Sequence, residues 1–72
     1  MNYRRVVAAN IKQRRKALGL TQEALAQEAG ISSQHLSKIE RCACSPTMDT
    51  MVRIALSLDT TPAALFEDPD AR

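Results

Sequence analysis

The chain has few of the residues on which several kinds of binding site depend. It contains no tryptophan, one tyrosine and one phenylalanine, which are Tyr3 and Phe66. Proteins that bind single-stranded nucleic acid stack the bases on several aromatic side chains, so the composition argues against that mode of binding. A metal site needs about four ligands, and beside Cys42 and Cys44 only His35 remains as a third candidate. We therefore expect neither a metal nor another cofactor.

Long apolar runs are also missing. The longest one near the start, Val6–Ala9, is too short for a signal peptide or a membrane span. We therefore expect a cytoplasmic protein without a membrane partner. In that reducing compartment Cys42 and Cys44 are expected to be free thiols, because a disulfide across one residue is strained. A redox-sensing pair, activated by the adjacent Arg41, is the alternative.

Patterns typical of catalysis are absent as well. The sequence has no glycine-rich phosphate loop and no paired carboxylates, and its one histidine has no nucleophile placed beside it. The 72 residues are expected to form one domain, 1–72, whose polar end, 68–72, is frayed. A chain of this size buries only about 60% of its unfolded surface. We therefore expect neither an enzyme nor a separate domain for a small-molecule effector.

The charges that are present are unevenly distributed. Residues 1–41 contain eight Lys and Arg against three acids, a balance of +5, and residues 42–72 contain two against five, a balance of −3. The two balances give the net charge of +2. A basic half followed by an acidic half indicates a face for an anionic polymer, although ordinary solvated helices would also account for it.

Apolar spacing and cap residues predict five helices. The first runs from Tyr3 to Leu18, with Val7, Ile11 and Leu18 in one stripe, and Gly19 ends it. Three cations crowd its last turn, where they suit the helix dipole.

The fourth helix is predicted from Thr47 to Leu58. The fifth begins behind Thr61 with Pro62 in its first position, and Phe66 is expected to fill the core. The apolar side of the fourth helix is expected to consist of Met48, Met51, Val52, Ala55 and Leu58, with Ile54 nearby.

The second and third helices lie within the stretch Thr21–Glu40. One spans Gln22–Ala29 behind Thr21 and the other follows Ser32, and both hydroxyls are suited to cap a helix. A tight turn between them favours the freedom of Gly30 at positive φ. Two helices that cross steeply also need a small residue at the crossing, which Ala26 provides. The wedge between them is expected to be closed by Leu25, Ala29, Leu36 and Ile39.

The third helix has two unlike sides. At about 100° per residue, its polar side covers an arc of about 140° opposite Leu36 and Ile39. The residues of that arc are Ser33, Gln34, Ser37, Lys38 and Arg41. Short hydroxyl and amide groups followed by two cations suit base edges between rows of phosphates.

The segment LTQEALAQEAGISSQHLSKIE resembles the Cro/repressor-type (XRE) helix-turn-helix family of bacterial and phage transcription regulators. The likeness covers roughly residues 5 to 66. It implies an all-α fold, a five-helix lambda-repressor-like DNA-binding domain with the helix-turn-helix at helices two and three.

The resemblance also implies a DNA-binding surface. Ser33, Gln34 and Lys38 match positions that touch base edges. Gln22 matches a glutamine that touches phosphate, and Arg41 lies where the chain runs close to the DNA backbone. The complete set of expected DNA-binding residues is Thr21, Gln22, Ser32, Ser33, Gln34, Ser37, Lys38 and Arg41.

Two further features of the family carry over to this chain. An arginine of the first helix pairs with an acid at the end of the third, which predicts a salt bridge between Arg15 and Glu40. Family members pair about a two-fold axis through the turn before the fifth helix and the face of that helix. The corresponding dimer interface consists of Leu58, Asp59, Thr60, Pro62, Ala63 and Phe66.

The sequence departs from the family after the third helix. Relatives place Gly or Asn just past the position of Glu40, whereas this chain continues with Arg41 and Cys42. Because cysteine tolerates the left-handed conformation poorly, we expect the helix to extend or to end differently.

These features predict a regulator that binds double-stranded DNA as a homodimer on a palindromic operator and controls its own expression. A phage repressor and the controller of a restriction-modification locus are both suitable settings. The alternative is an antitoxin or protein-interaction module, in which helices four and five bind another polypeptide.

Overall fold

The computed structural model describes residues 3–67, and all of its regular structure is helical. The helices are α1 (Tyr3–Ala17), α2 (Gln22–Ala29), α3 (Ser33–Glu40), α4 (Met48–Ser57) and α5 (Pro62–Leu65). The expected all-α, five-helix architecture is confirmed. The predicted fraying of residues 68–72 lies outside the described residues.

Helices α2 to α5 each begin behind a serine or threonine, as predicted. The Thr21 hydroxyl accepts a hydrogen bond from the Ala24 N–H at 3.0 Å, and the Ser32 hydroxyl accepts one from His35 at 3.0 Å. Thr47 and Thr61 cap α4 and α5 in the same way. Each cap satisfies an N–H that the helix itself cannot pair.

The end of α3 differs from the expectation. The helix ends at Glu40, and Cys42 adopts the left-handed conformation with φ 63°. The Cys42 N–H donates to the Ile39 carbonyl at 3.1 Å, and the Ala43 N–H donates to Lys38 at 2.8 Å. These hydrogen bonds close the helix as a glycine would, and they offset a left-handed penalty of about 1 to 2 kcal/mol. The prediction that the helix would extend or end differently was therefore wrong.

One aliphatic core joins α1, α2, α3 and α4 and is closed by α5. The predicted wedge residues of α2 and α3 are all buried, and Ala26 is buried at the crossing. The fully buried larger side chains are Ile11, Leu25, Leu36, Ile39, Ile54, Leu65 and Val7. This core holds α3 by its apolar side and leaves its polar side outward.

Four apolar side chains that were expected to pack lie at the surface instead. Leu18 is 53% exposed because α1 ends at Ala17, so that its direction no longer follows the helical stripe. Met48 and Val52 turn to the outer side of α4 and are 65% and 38% exposed. Phe66 is 37% exposed because Leu65 occupies the core position.

Within residues 3–67, no helix combines the length and the apolar content that a membrane span requires.

Candidate nucleic-acid interface

A shallow groove runs between the start of α2 and the outer side of α3. Its lining contains six of the eight side chains that were expected to bind DNA, together with one acid that was not expected. The lining residues are Gln22, Glu23, Ser33, Gln34, Ser37, Lys38 and Arg41. The other two, Thr21 and Ser32, are exposed at the starts of α2 and α3, where their hydroxyls serve as caps.

The α3 side of the groove is presented outward by the packing beneath it. Leu36 and Ile39 are at most 1% exposed, whereas Gln34 and Lys38 are exposed on the opposite side of the same helix. A carboxamide can bind adenine through two hydrogen bonds, and an ammonium group can donate to guanine or to phosphate. The outer side of α3 therefore offers groups that can form hydrogen bonds with base edges or phosphates.

Glu23 also lines the groove, a position that was not predicted from the sequence. It lies in the first turn of α2, where an acid suits the helix dipole. Because the dipole accounts for an acid at this place in the sequence, nothing indicated that Glu23 would line the groove. A carboxylate in such a groove repels phosphate and can accept a hydrogen bond from the amino group of cytosine.

The Arg15 guanidinium ties α1 to the end of α3. Its Nε donates to Glu40 Oε2 at 2.8 Å, its Nη2 donates to Glu40 Oε1 at 3.0 Å, and its Nη1 donates to the Leu20 carbonyl at 2.8 Å. The two charged side chains are only 10% and 2% exposed. A buried pair with two parallel hydrogen bonds fixes orientation more than it adds stability.

The same carboxylate also holds Gln22. The Gln22 Nε2 donates to Glu40 Oε1 at 3.2 Å, which connects the first residue of α2 to the last residue of α3. The amide oxygen and the second amide N–H are the groups that Gln22 can offer to a ligand. The orientation of the groove therefore depends on one buried carboxylate that three elements share.

Comparison with known proteins agrees with this geometry. The family model HTH_3, described as helix-turn-helix, matches residues 11–65. The chain belongs to this helix-turn-helix family. It is a DNA-binding transcriptional regulator of the XRE/repressor type, and regulator domains of this fold are not enzymes.

Three similar proteins illustrate the family. An uncharacterized HTH-type transcriptional regulator of Sinorhizobium fredii, y4dJ, is 34% identical over 97% of this chain and 91% of its own. The DNA-binding domain of the P22 c2 repressor has a TM-score of 0.84 and 28% identity, covering 100% of this chain and 92% of its own. The restriction-modification controller protein C.AhdI of Aeromonas hydrophila has a TM-score of 0.83 and 26% identity, covering 86% and 94%.

The residues expected at a dimer interface of this helix-turn-helix domain do not all lie at the surface. Leu58 is 3% exposed because it points into the core at the end of α4, so it cannot contribute contact area and its assignment is corrected. Asp59, Ala63 and Phe66 are exposed, and Thr60 and Pro62 are half-buried. Asp59 forms the turn itself, with φ 57°.

The two cysteines of the helix-turn-helix domain are free and half-buried. Cys44 packs against the core, and the Cys42 thiol donates weakly to the Arg4 carbonyl at 3.8 Å. Within residues 3–67, no group of three or more His, Cys, Asp and Glu side chains is placed to hold a metal ion.

Proposed function

We propose that this regulator recognises a specific double-stranded DNA sequence by placing α3 in the major groove. The observation that supports this most directly is the outward groove, in which Ser33, Gln34 and Lys38 stand opposite the buried anchors of α3. A helix presented in this way fits the major groove, where each base pair has its own pattern of donors and acceptors.

The groove residues then divide into two roles. Gln34 and Lys38 contact base edges, and Ser33 contacts a base or the backbone between them. Ser37 completes this row. Gln22 and Arg41, which also line the groove, contact phosphates, and these contacts fix the register of the helix on the duplex.

The start of α2 supplies a further phosphate contact in this proposal. Thr21 caps α2, and the first free N–H groups of a helix suit a phosphate oxygen. Ser32 caps α3 in the same way and places the first turn of the reading helix against the DNA.

Binding is proposed to require a homodimer on a palindromic operator. One reading helix makes too few contacts for tight specific binding, because specific complexes have dissociation constants of about 10⁻⁸ to 10⁻¹¹ M. A two-fold dimer would place two copies of α3 about 34 Å apart, with half-sites about 10 base pairs apart. The exposed side chains of Ala63 and Phe66 on and beside α5 supply apolar contact area for that pairing.

Autoregulation follows from the coupling of dimerisation to DNA binding. In the proposed mechanism the concentration of the protein is itself the signal, and no small-molecule effector is needed. The likeness to a phage repressor domain and to a restriction-modification controller supports a setting of this kind, in the cytoplasm.

Selection of bound sequences from a random duplex library tests the whole proposal. The expected result is an enriched palindrome whose half-sites are about 10 base pairs apart, bound by two chains per duplex as measured by sedimentation. Enrichment of no sequence above the input library would contradict sequence-specific binding, and an asymmetric site bound by one chain would contradict the dimer.

One observation favours the second candidate function, a protein-interaction module such as an antitoxin. Met48, Val52 and Leu56 follow one another at four-residue spacing on the outer side of α4, and all three are exposed. A stripe of this kind suits another polypeptide, for example a toxin. A gel shift with random and selected duplexes at several salt concentrations distinguishes the two, because a pure interaction module would bind neither duplex.

A further inference from the structure

The first turn of α1 carries two adjacent cations, Arg4 and Arg5, and no acid. Helix dipoles disfavour cations at the start of a helix by about 0.3 to 1 kcal/mol each. Neither arginine therefore helps α1 to form. Their charge is instead available to bind an anion.

The two arginines lie on different sides of α1. Arg4 shares a side with Ala8, Ile11 and Arg15, at spacings of four, seven and eleven residues. Ala8 and Ile11 are buried, and Arg15 reaches Glu40 at the end of α3. This side of α1 is therefore the one turned toward α3. Arg5 is rotated from it by about 100°.

The start of α1 is in contact with the loop that follows α3. The Cys42 thiol donates to the Arg4 carbonyl at 3.8 Å, and the hydroxyls of Tyr3 and Ser45 share a hydrogen bond of 3.5 Å. Arg41, which lines the groove, is adjacent to Cys42 in the chain. The Arg4 backbone is thus in contact with the residue that follows Arg41 of the groove lining.

Neighbouring side chains hold the start of α1 against the loop that follows α3. The hydrogen bond from Ser45, and then the neighbouring Arg4, keep the pKa of Tyr3 below its usual value. The Tyr3 ring in turn lies 6.4 Å from the Phe66 ring, centroid to centroid. These contacts hold the first turn of α1, which carries Arg4, against the loop after α3 and the end of α5.

The positive charges of Arg4 and Arg41 are not neutralised by a carboxylate within residues 3–67. Ion pairs within residues 3–67 join Arg15 to Glu40 and Arg53 to Asp49. Arg4 and Arg41 are both exposed, and neither forms an ion pair with a carboxylate of that range. Two such cations, connected through the contact between Arg4 and Cys42, suit the phosphates of a DNA backbone.

We propose that Arg4, whose backbone is held against the loop after α3 by the Cys42 thiol, binds a phosphate of the DNA backbone beyond the one that Arg41 contacts. The footprint of the protein then extends past α3 to the start of α1. This inference rests on the proposed DNA binding and adds a residue that the helix-turn-helix motif does not contain.

The test compares the full chain with Arg4→Ala and Arg5→Ala on a duplex selected by the wild-type protein. The two variants lose the same charge from the same helical turn, so they differ only in the side of α1. Binding is measured by fluorescence anisotropy from 50 to 200 mM salt. We expect Arg4→Ala to make the negative slope of log K against log [salt] shallower by about 0.9 for each bound chain, the value of one phosphate contact, and therefore by about 1.8 for a dimer, with a smaller change for Arg5→Ala.

Three further measurements specify the contact. Arg4→Lys keeps the charge and should keep the slope. Arg4→Ala should weaken binding to matched and mismatched duplexes by the same factor, because a phosphate contact carries no sequence information. Ethylation of the phosphate that Arg4 contacts, which lies beyond the one that Arg41 contacts, should impair DNA binding by the wild-type protein. The same ethylation should not change DNA binding by Arg4→Ala.

Equal slopes and affinities for Arg4→Ala and Arg5→Ala would overturn the inference, as would a loss confined to one base pair. Neither variant should have a lower melting temperature, because removing a cation from the start of a helix should not destabilise the helix. A difference in DNA binding between the two variants is therefore not caused by unfolding. Lys38→Ala separates this inference from the proposed function. If the wild-type protein binds no duplex, the proposed function fails; if Lys38→Ala weakens binding and Arg4→Ala behaves like Arg5→Ala, only this inference fails.

Discussion

The Arg15 guanidinium and the Glu40 carboxylate face each other through two hydrogen bonds of 2.8 and 3.0 Å, in a site that is nearly closed to solvent. Through this pair, α1 sets the direction of α3, and Gln22 of α2 is attached to the same carboxylate. The groove is therefore oriented by a contact that lies outside it.

Removing the acid should destabilise the protein and weaken DNA binding together. Glu40→Ala leaves the Arg15 charge buried without a partner, and breaking a buried pair in this way costs about 3 to 5 kcal/mol. We expect a fall in the melting temperature of more than about 10 °C in a domain of this size, measured by circular dichroism. Glu40→Gln keeps the shape and one acceptor and should lose less. An unchanged melting temperature and DNA affinity in Glu40→Ala would contradict this role.

Replacing a groove glutamine should affect one base pair, and replacing a glutamine outside the groove should not. Gln34→Ala removes the proposed contact to a base edge, which is worth about 1 to 3 kcal/mol. We expect roughly tenfold weaker binding or more on the selected duplex, with relaxed preference at one position of each half-site. Gln27→Ala is the matched control, because Gln27 is exposed on α2 and does not line the groove. Equal binding by both variants would exclude base recognition by Gln34.

Asn10 of α1 should be required for the position of α5. Its Nδ2 donates to the carbonyls of Leu65 and Glu67 at 2.8 and 2.7 Å, and the residue is buried. Asn10→Ala leaves carbonyls near the end of α5 unpaired, at a cost of about 1 to 3 kcal/mol. We expect a lower melting temperature and weaker dimerisation by sedimentation, because the proposed interface includes the surface of α5.

The control for that variant is Gln13→Ala, which removes an exposed amide from the same helix. Asn10→Asp is a sharper test, because a carboxylate facing two carbonyls is repelled and must be protonated to donate. Burial would raise its pKa in the folded state above the unfolded value, so its destabilisation should be largest at neutral pH and should decrease as the pH falls. Equal stability of Asn10→Ala and Gln13→Ala would contradict a stabilising role of the hydrogen bonds from Asn10 to Leu65 and Glu67.

Glycine at the end of α3 should stabilise the protein. Cys42 adopts φ 63°, where a side chain costs about 1 to 2 kcal/mol, and the greater unfolded-state entropy of glycine cancels part of the gain. We expect Cys42→Gly to raise the melting temperature by a few degrees and Cys42→Val to lower it. Cys44→Ala is the control for loss of a thiol without a change at a left-handed position. A lower melting temperature in Cys42→Gly would show that the thiol contact with Arg4 outweighs the backbone strain.

Much of the helix-turn-helix could be predicted from the sequence because its signals are local. Thr21 and Ser32 mark helix starts by their own chemistry. Gly30 marks the turn, and it is left-handed in the structure with φ 72°. The separation of Leu36 and Ile39 from the polar side of α3 follows from helical phase alone. Those positions alone determined that the polar side of α3 would face outward.

Contacts between distant parts of the chain were decided only by the tertiary structure. Helical phase put Leu58 on the apolar side of the fourth helix, whereas the family resemblance put it at the dimer interface, and only the structure decided that it enters the core while Phe66 does not. Helical phase also gave no sign that Asn10 forms hydrogen bonds with Leu65 and Glu67, which lie 55 and 57 positions further along the chain. The acid in the groove, Glu23, and the contact of Arg4 with the loop after α3 belong to the same class. Local spacing specifies which side of a helix is apolar, and only the packing of the helices specifies which neighbour each side meets.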